Sequence, residues 1–347
     1  MSSWPAVLSE LVAGRDLTPA AAAWAMDQIL AGEATQVQIA GFAIALRAKG
    51  ETVSELTALA DAMLARATPI ALDTDAVDVV GSGGDRANTV NVSTMAAIVT
   101  AAMGIPVVKH GNRAASSACG TADCLESLGV ALDVPPAAQA GVLARTRIVF
   151  MFAPLYHPSL RFAGAPRREL GVPTTFNFLG PLANPARPVA QAIGCADVRM
   201  APLMAGVIAA RGHRGMVFHG GDGLDELTTT TASRVWVVRD GRVSETSLDP
   251  IDLGLARSIP SDLVGGAPEQ NAQVVRDLVA GSRGPVRDIV LLNAAAAALA
   301  FAGADPDAPL APQLEPRLAG AAQAIDSGAA SALLDAWIAA TQAARAA

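Results

Sequence analysis

Apolar and polar positions along residues 1–70 repeat with a helical period. Ile39, Phe42, Ala43 and Leu46 fall on one helical face. Thr18 before Pro19 reads as a cap followed by a first-turn proline. Thr35 with Gln38, and Thr52 with Glu55, match the capping box. Gly14, Gly32 and Gly50 fall where such helices would end. The pattern predicts a module of about four short helices and no strand.

The period changes near Asp73. Short apolar runs now lead into glycine-containing loops and then into helical stretches. Residues 76–80 read as a strand, Gly81 to Asp85 as a loop, and a helix follows from about Ser93. The unit repeats: a strand at 105–108, a polar loop from Lys109, a helix at 122–128. Further strands are expected at 148–153, 189–194 and 215–219, with crossover helices around 137–145 and 201–210. Residues 234–238, then Asp240-Gly241, then Val243 predict a peripheral hairpin. From Pro268 onward the chain reads as helical. The expected fold is α/β: a small N-terminal all-helical domain over 1–70, and a larger domain over 71–347 around a mostly parallel sheet.

Composition narrows the partners. The chain has 347 residues, 52% hydrophobic and 16% charged, with net charge −7. No run of Lys or Arg occurs, which disfavours nucleic acid and anionic membranes. Any anion site must therefore be local. Cys119, Cys124 and Cys195 fit no metal or disulfide spacing. The N-terminal stretch lacks a basic start and a long apolar run, and the apolar tract 289–302 is short for a membrane span and contains Asn293. A soluble cytoplasmic protein is the expectation.

Within this frame the stretch KHGNRAASSACGTAD, Lys109 to Asp123, stands out. Of 25 basic residues only Lys49 and Lys109 are lysine. Ligands of open α/β sheets bind beyond the carboxyl ends of the strands. A loop there with Lys, His, Asn, Arg and hydroxyls suits an anion such as phosphate. GSGGD, Gly81 to Asp85, offers main-chain amides for close approach. It is neither GxGxxG nor a P-loop, and Asp85 could hold ligand hydroxyls or cap the turn. NVST, Asn91 to Thr94, adds an amide and hydroxyls at a helix start, where capping by Ser93 or Thr94 is the ordinary alternative. HGGDGLDEL places Asp225 and Glu226 side by side after a strand, a hard-oxygen pair suited to Mg²⁺ or else an acidic turn. RRELGVPTTFNFLGPLANPA, Arg167 to Ala186, reads as rigid and irregular, and either arginine could fork onto a carboxylate. His110 and His157 could each be structural.

Together these segments, with MFAPLYHPSLR and the late GPVRDIVLLNAAAAL, resemble the anthranilate phosphoribosyltransferases, of nucleoside-phosphorylase-like fold, over nearly the whole chain. The resemblance implies transfer of phosphoribosyl from 5-phosphoribosyl 1-diphosphate (PRPP) to the amine of anthranilate, releasing pyrophosphate, in tryptophan biosynthesis. By position it implies PRPP contacts at Gly81, Gly84, Asp85, Thr89, Asn91, Val92, Ser93 and Thr94. It adds Lys109, His110, Gly111, Asn112, Arg113, Ala114, Ala115, Ser116, Ser117 and Thr121. Gly81, Asn112 and Arg167, rather than Arg168, would meet anthranilate. Ser93, Asp225 and Glu226 would bind magnesium, two ions per site. A homodimer through the helical domain is also implied, as is a return of part of 166–187 to that domain.

Ser82, Thr121 and Pro173 depart from the family's more frequent Thr, Ser and Arg. The first two keep a hydroxyl; Pro173 alters the substrate-side loop. An aromatic amine is neutral and needs no strong base, so none is assigned. Lys109 is read as stabilising the leaving pyrophosphate, and Lys109→Ala is expected to lower turnover and PRPP binding with the fold intact. The alternatives are a pyrimidine nucleoside phosphorylase of the same fold, a non-catalytic nucleic-acid-binding relative, and a phosphoribosyltransferase of the other common type, whose paired acids precede a glycine-bearing loop.

Overall fold

The computed structural model describes residues 2–114 and 118–346. Four helices open the chain: Trp4–Val12, Pro19–Ala31, Gln36–Lys49 and Val53–Ala65. Their starts follow the local chemistry. The Thr18 hydroxyl accepts from Ala21 N, and both capping boxes, Thr35–Gln38 and Thr52–Glu55, are formed. Ile39, Phe42, Ala43 and Leu46 are all buried.

Seven strands form one sheet: β1 (Val77–Gly81), β2 (Val107–Gly111), β3 (Ile148–Phe152), β4 (Ala190–Gly194), β5 (Arg214–Gly220), β6 (Ser233–Arg239) and β7 (Arg242–Leu248). Their order is β3-β2-β1-β4-β5-β6-β7. The first five run parallel, and β6 and β7 add antiparallel at one edge. Strand β1 meets β2 on one side and β4 on the other. That is a topological switch, the place where open α/β sheets hold ligands.

Side chains alternate across the sheet and so build two cores. On one face lie Val79, Ala192, Met216, Phe218, Val235 and Val237, covered by Val92–Ala102, Pro285–Ala302 and the C-terminal helices. On the other lie Val80, Ile193, Val217, Trp236 and Val238. These pack with Ala201–Ala210, with the four N-terminal helices and with Phe176–Leu182. The helix Pro285–Ala302 is long and apolar enough to cross a membrane, but most of it is buried within the fold.

Two expectations are corrected. Lys109, His110 and Gly111 belong to β2 and pair with Phe150, Met151 and Phe152 of β3. The polar loop begins after them, because the ladder to β3 extends the strand past the apolar run. The Gly/Pro-rich segment 167–186 is also less irregular than its composition suggests. It contains parts or all of two short helices, Gly164–Leu170 and Phe176–Leu182, the second with Pro181 inside.

Candidate active site

A cleft opens at the carboxyl ends of β1 and β2, with Asp225 and Glu226 reaching it from the loop after β5. One wall is the loop after β1. Gly83, Gly84, Arg86 and Asn88 there all have left-handed φ, between 51° and 88°. Successive turns of this kind aim main-chain N–H groups into a concavity, which favours an anion. The Asp85 carboxylate accepts from Ala87 N at 3.2 Å and so caps the turn.

The second wall is the loop after β2. Asp123 Oδ2 accepts from Ala114 N and Gly120 N, both at 3.0 Å, and closes this loop. Gly120 is required there, since a Cβ would lie 2.2 Å from Ala114 N. Arg113 points back to Asp123 and Glu126, each at 2.9 Å.

The floor is charged. Lys109 is 1% exposed. Its Nζ donates to Val79 O and to Ser93 Oγ. Burial pulls its pKa down to about 8, opposed by Asp78, Glu226 and Asp225. Asp78 lies beneath the floor, accepting from His110 N at 3.1 Å and Asn184 Nδ2 at 2.8 Å. Burial raises its carboxyl to about 6. His110 is held the other way, lowered to about 3 by burial and by His157. Its Nδ1 faces Gly180 O at 3.0 Å, so the neutral ring donates there. A histidine so placed is a poor general base, in keeping with chemistry that needs none.

Asp225 and Glu226 come from the loop between β5 and β6. Burial and the nearby Asp85 raise Asp225 to about 7. Burial and Asp225 push Glu226 well above its ordinary range. Two adjacent carboxylates in a poorly solvated place repel each other, and a divalent cation would relieve that repulsion. Among the described residues no group of three or more His, Cys, Asp and Glu side chains forms a metal cage. That donor set fits Mg²⁺, which takes one or two carboxylates and leaves its other positions to water and phosphate.

Asp225 is held by close packing against glycines. A Cβ on Gly81 would lie 2.2 Å from Asp225 Oδ2, and one on Gly194 would lie 1.6 Å from Asp225 O. Gly194→Ala is therefore expected to displace the acidic loop and cost about a hundredfold in kcat/KM. Steady-state kinetics at saturating Mg²⁺ check this, and wild-type kinetics would contradict it.

The outer part of the cleft is less polar. Met63, Leu160, Phe176 and Pro181 line it, with Arg167. The Arg167 guanidinium sits 5.6 Å from the centre of the Phe176 ring. Burial lowers its pKa. No carboxylate pairs with it among the described residues. Arg168 is exposed and does not line the cleft.

Of the residues singled out from sequence, Gly81, Gly84, Asp85, Thr89, Asn91, Val92 and Ser93 all line this cleft. So do Lys109 through Ala114, Thr121, Arg167, Asp225 and Glu226. Thr94 does not: it is buried behind the wall, its hydroxyl without a partner. Neither Ser93 nor Thr94 caps its helix, whose N-cap Asn91 makes no side-chain cap bond. Ala115, Ser116 and Ser117 lie outside the described residues. The sequence reading missed Asp78, Asn184 and Gly194. Asn184 lies within the noted NFLGPLANP run. Gly194 ends a predicted strand, where a glycine is a signal of close approach.

Comparisons with known proteins identify the family. Residues 5–67 match the family model "Glycosyl transferase family, helical bundle domain", and residues 73–331 match "Glycosyl transferase family, a/b domain". An anthranilate phosphoribosyltransferase of Acidothermus cellulolyticus is 59% identical over 343 residues, covering 99% of this chain and 96% of that protein. The enzyme of that name from Thermobifida fusca is 57% identical over 98% of this chain and 97% of its own length. The crystal structure of the Thermus thermophilus enzyme superposes with TM-score 0.89 at 38% identity, covering 97% of this chain and 99% of its own. The Saccharomyces cerevisiae enzyme, solved in complex with PRPP and Mg, shares the fold with TM-score 0.88 at 24% identity, over 98% of each chain. With relatives this similar over nearly full length, the chain belongs to the anthranilate phosphoribosyltransferases.

Proposed function

We propose that this cleft carries out the family's reaction, phosphoribosyl transfer from PRPP to anthranilate, with its residues divided between two substrates. The observation that carries the reading is the division of the cleft into a charged inner end and an apolar outer end with a cation, Arg167, that has no acidic partner among the described residues.

PRPP lies at the inner end. Its phosphates face the left-handed turns after β1 and the loop after β2. Asp85, Asn91 and Ser93 offer partners to ribose and phosphate. Ala115, Ser116, Ser117 and Thr94 remain proposed by family position alone. Asp225, Glu226 and Ser93 hold magnesium, two ions per site. When bound, the metal neutralises charge on the departing pyrophosphate. Lys109 adds a fixed positive charge beside it, set before the reaction begins.

Anthranilate lies at the outer end. Its ring fits between apolar side chains, its carboxylate meets Arg167, and Gly81 and Asn112 border the amine. Attack by a neutral amine requires placement more than a base, and holding both substrates in one cleft supplies that placement. Arg167→Ala is expected to raise the anthranilate KM about tenfold or more while moving the PRPP KM little, the loss of one charge-assisted pairing. Equal effects on both constants would contradict the role. The reaction itself is tested by mixing the protein with both substrates and Mg²⁺ and measuring pyrophosphate release that depends on anthranilate.

Two copies pair through the helical module. Val12 and Val37 there are 80% and 82% exposed, apolar positions that pairing would cover. Light scattering should give twice the chain mass, and a single-chain mass would contradict the dimer.

A further inference from the structure

The late run GPVRDIVLLNAAAAL has no place among the substrate contacts, and Asn293 within it is conspicuous. It lies in the middle of the helix Pro285–Ala302, 2% exposed, flanked by buried alanines and leucines. Asparagine is a poor helix residue, and a buried amide is costly unless its polar atoms find partners. Here they do. Asn293 Oδ1 accepts from Leu227 N at 3.0 Å. Its Nδ2 donates to Leu227 O at 2.8 Å and to Ile289 O at 2.9 Å.

Leu227 directly follows Glu226. The order Leu224-Asp225-Glu226-Leu227 sets two carboxylates between two leucines. Both leucines are buried in the core that the helix helps to form. At Leu227 the chain is turning between β5 and β6, so its peptide groups have no ladder to join. Asn293 takes both, like a strand of one residue. The other side of the loop is tied separately: Asp222 accepts from Leu224 N at 3.2 Å and from the Thr228 hydroxyl at 2.7 Å. The Asn293 side chain thus holds the core side of the acidic pair, at the peptide next to Glu226.

We infer that Asn293 is a positioning residue, whose amide clamps the Leu227 peptide so that Asp225 and Glu226 face the cleft in metal-binding geometry. The inference rests on the reading of Asp225 and Glu226 as the magnesium ligands. Replacing a group that orients metal ligands from behind typically weakens metal binding by about ten- to a hundredfold. A purely structural asparagine would affect stability alone.

The test uses the full chain with PRPP as wild type, Asn293→Leu, Asn293→Ser and Leu299→Ala. The last is a core truncation further along the same helix, remote from the loop. Mn²⁺ binding is read by electron paramagnetic resonance, and Leu227 amide exchange is read in the metal-free protein. Asn293→Leu should weaken Mn²⁺ binding about tenfold or more and speed exchange at Leu227. Leu299→Ala should lower Tm and bind Mn²⁺ as wild type does. A folded Asn293→Leu with wild-type Mn²⁺ binding overturns the inference, as does a Leu299→Ala that weakens binding equally. If Asn293→Leu does not fold, Asn293→Ser decides on the same two readings, and wild-type binding there overturns it. Wild type that binds no Mn²⁺ overturns instead the assignment of Asp225 and Glu226.

Discussion

Replacing Asp225 with Asn and Glu226 with Gln together is expected to lower kcat/KM by about a thousandfold or more, the scale of losing a preorganised electrostatic element. The same variant should be as stable as wild type or more so. The reason is the charge arrangement. Both carboxylates are raised above their ordinary range by burial and by each other or Asp85. A carboxyl whose folded pKa is raised costs stability once pH rises above its unfolded pKa, and the cost is complete above its folded pKa. Neutral amides of the same shape remove the repulsion. Calorimetry without Mg²⁺ near neutral pH should therefore show an equal or higher Tm. A variant that is both inactive and strongly destabilised would mean that the pair serves the fold rather than the reaction.

Lys109→Met should give the opposite stability result. Activity is expected to fall by about a hundredfold or more, and stability by about 3–5 kcal/mol, the usual effect of removing one member of a buried charge group. Lys109 is the cation among Asp78, Asp225 and Glu226, so its removal leaves the three carboxylates without it. This revises the expectation that Lys109→Ala leaves the fold intact. From the sequence Lys109 looked like the first residue of a polar loop; in the fold it is a buried strand residue that interacts with the Asp78 charge. The methionine variant separates charge from the cavity that alanine would add. A combined Lys109→Met, Asp78→Asn variant should recover part of the lost stability and none of the activity. A Lys109→Met enzyme with normal turnover would contradict its role beside the leaving group.

Much of the fold was legible because its signals are local. The helix Ala201–Ala210 and strand β3 were readable from apolar periodicity and their flanking breakers, and the capping boxes from four-residue patterns. The site motifs were legible as long, ordered segments. What was not legible depends on neighbours distant in sequence. Lys109 belongs to β2 only because β3 pairs alongside it. Gly194 matters because the Asp225 main chain passes where a Cβ would stand. Asp78 reads as a polar interruption of a strand until Asn184 and the His110 peptide are placed against it. Asn293 looked like a reason to doubt a membrane span, and its partner lies 66 residues away.

The central claim is that one cleft unites PRPP, anthranilate and magnesium in a single transfer. The most direct measurement follows anthranilate fluorescence with purified protein, with and without PRPP, and with Mg²⁺ or a chelator. The account predicts loss of fluorescence only when PRPP and Mg²⁺ are both present. Loss that persists in chelator would contradict the role given to Asp225 and Glu226. No loss under any condition would contradict the transfer itself.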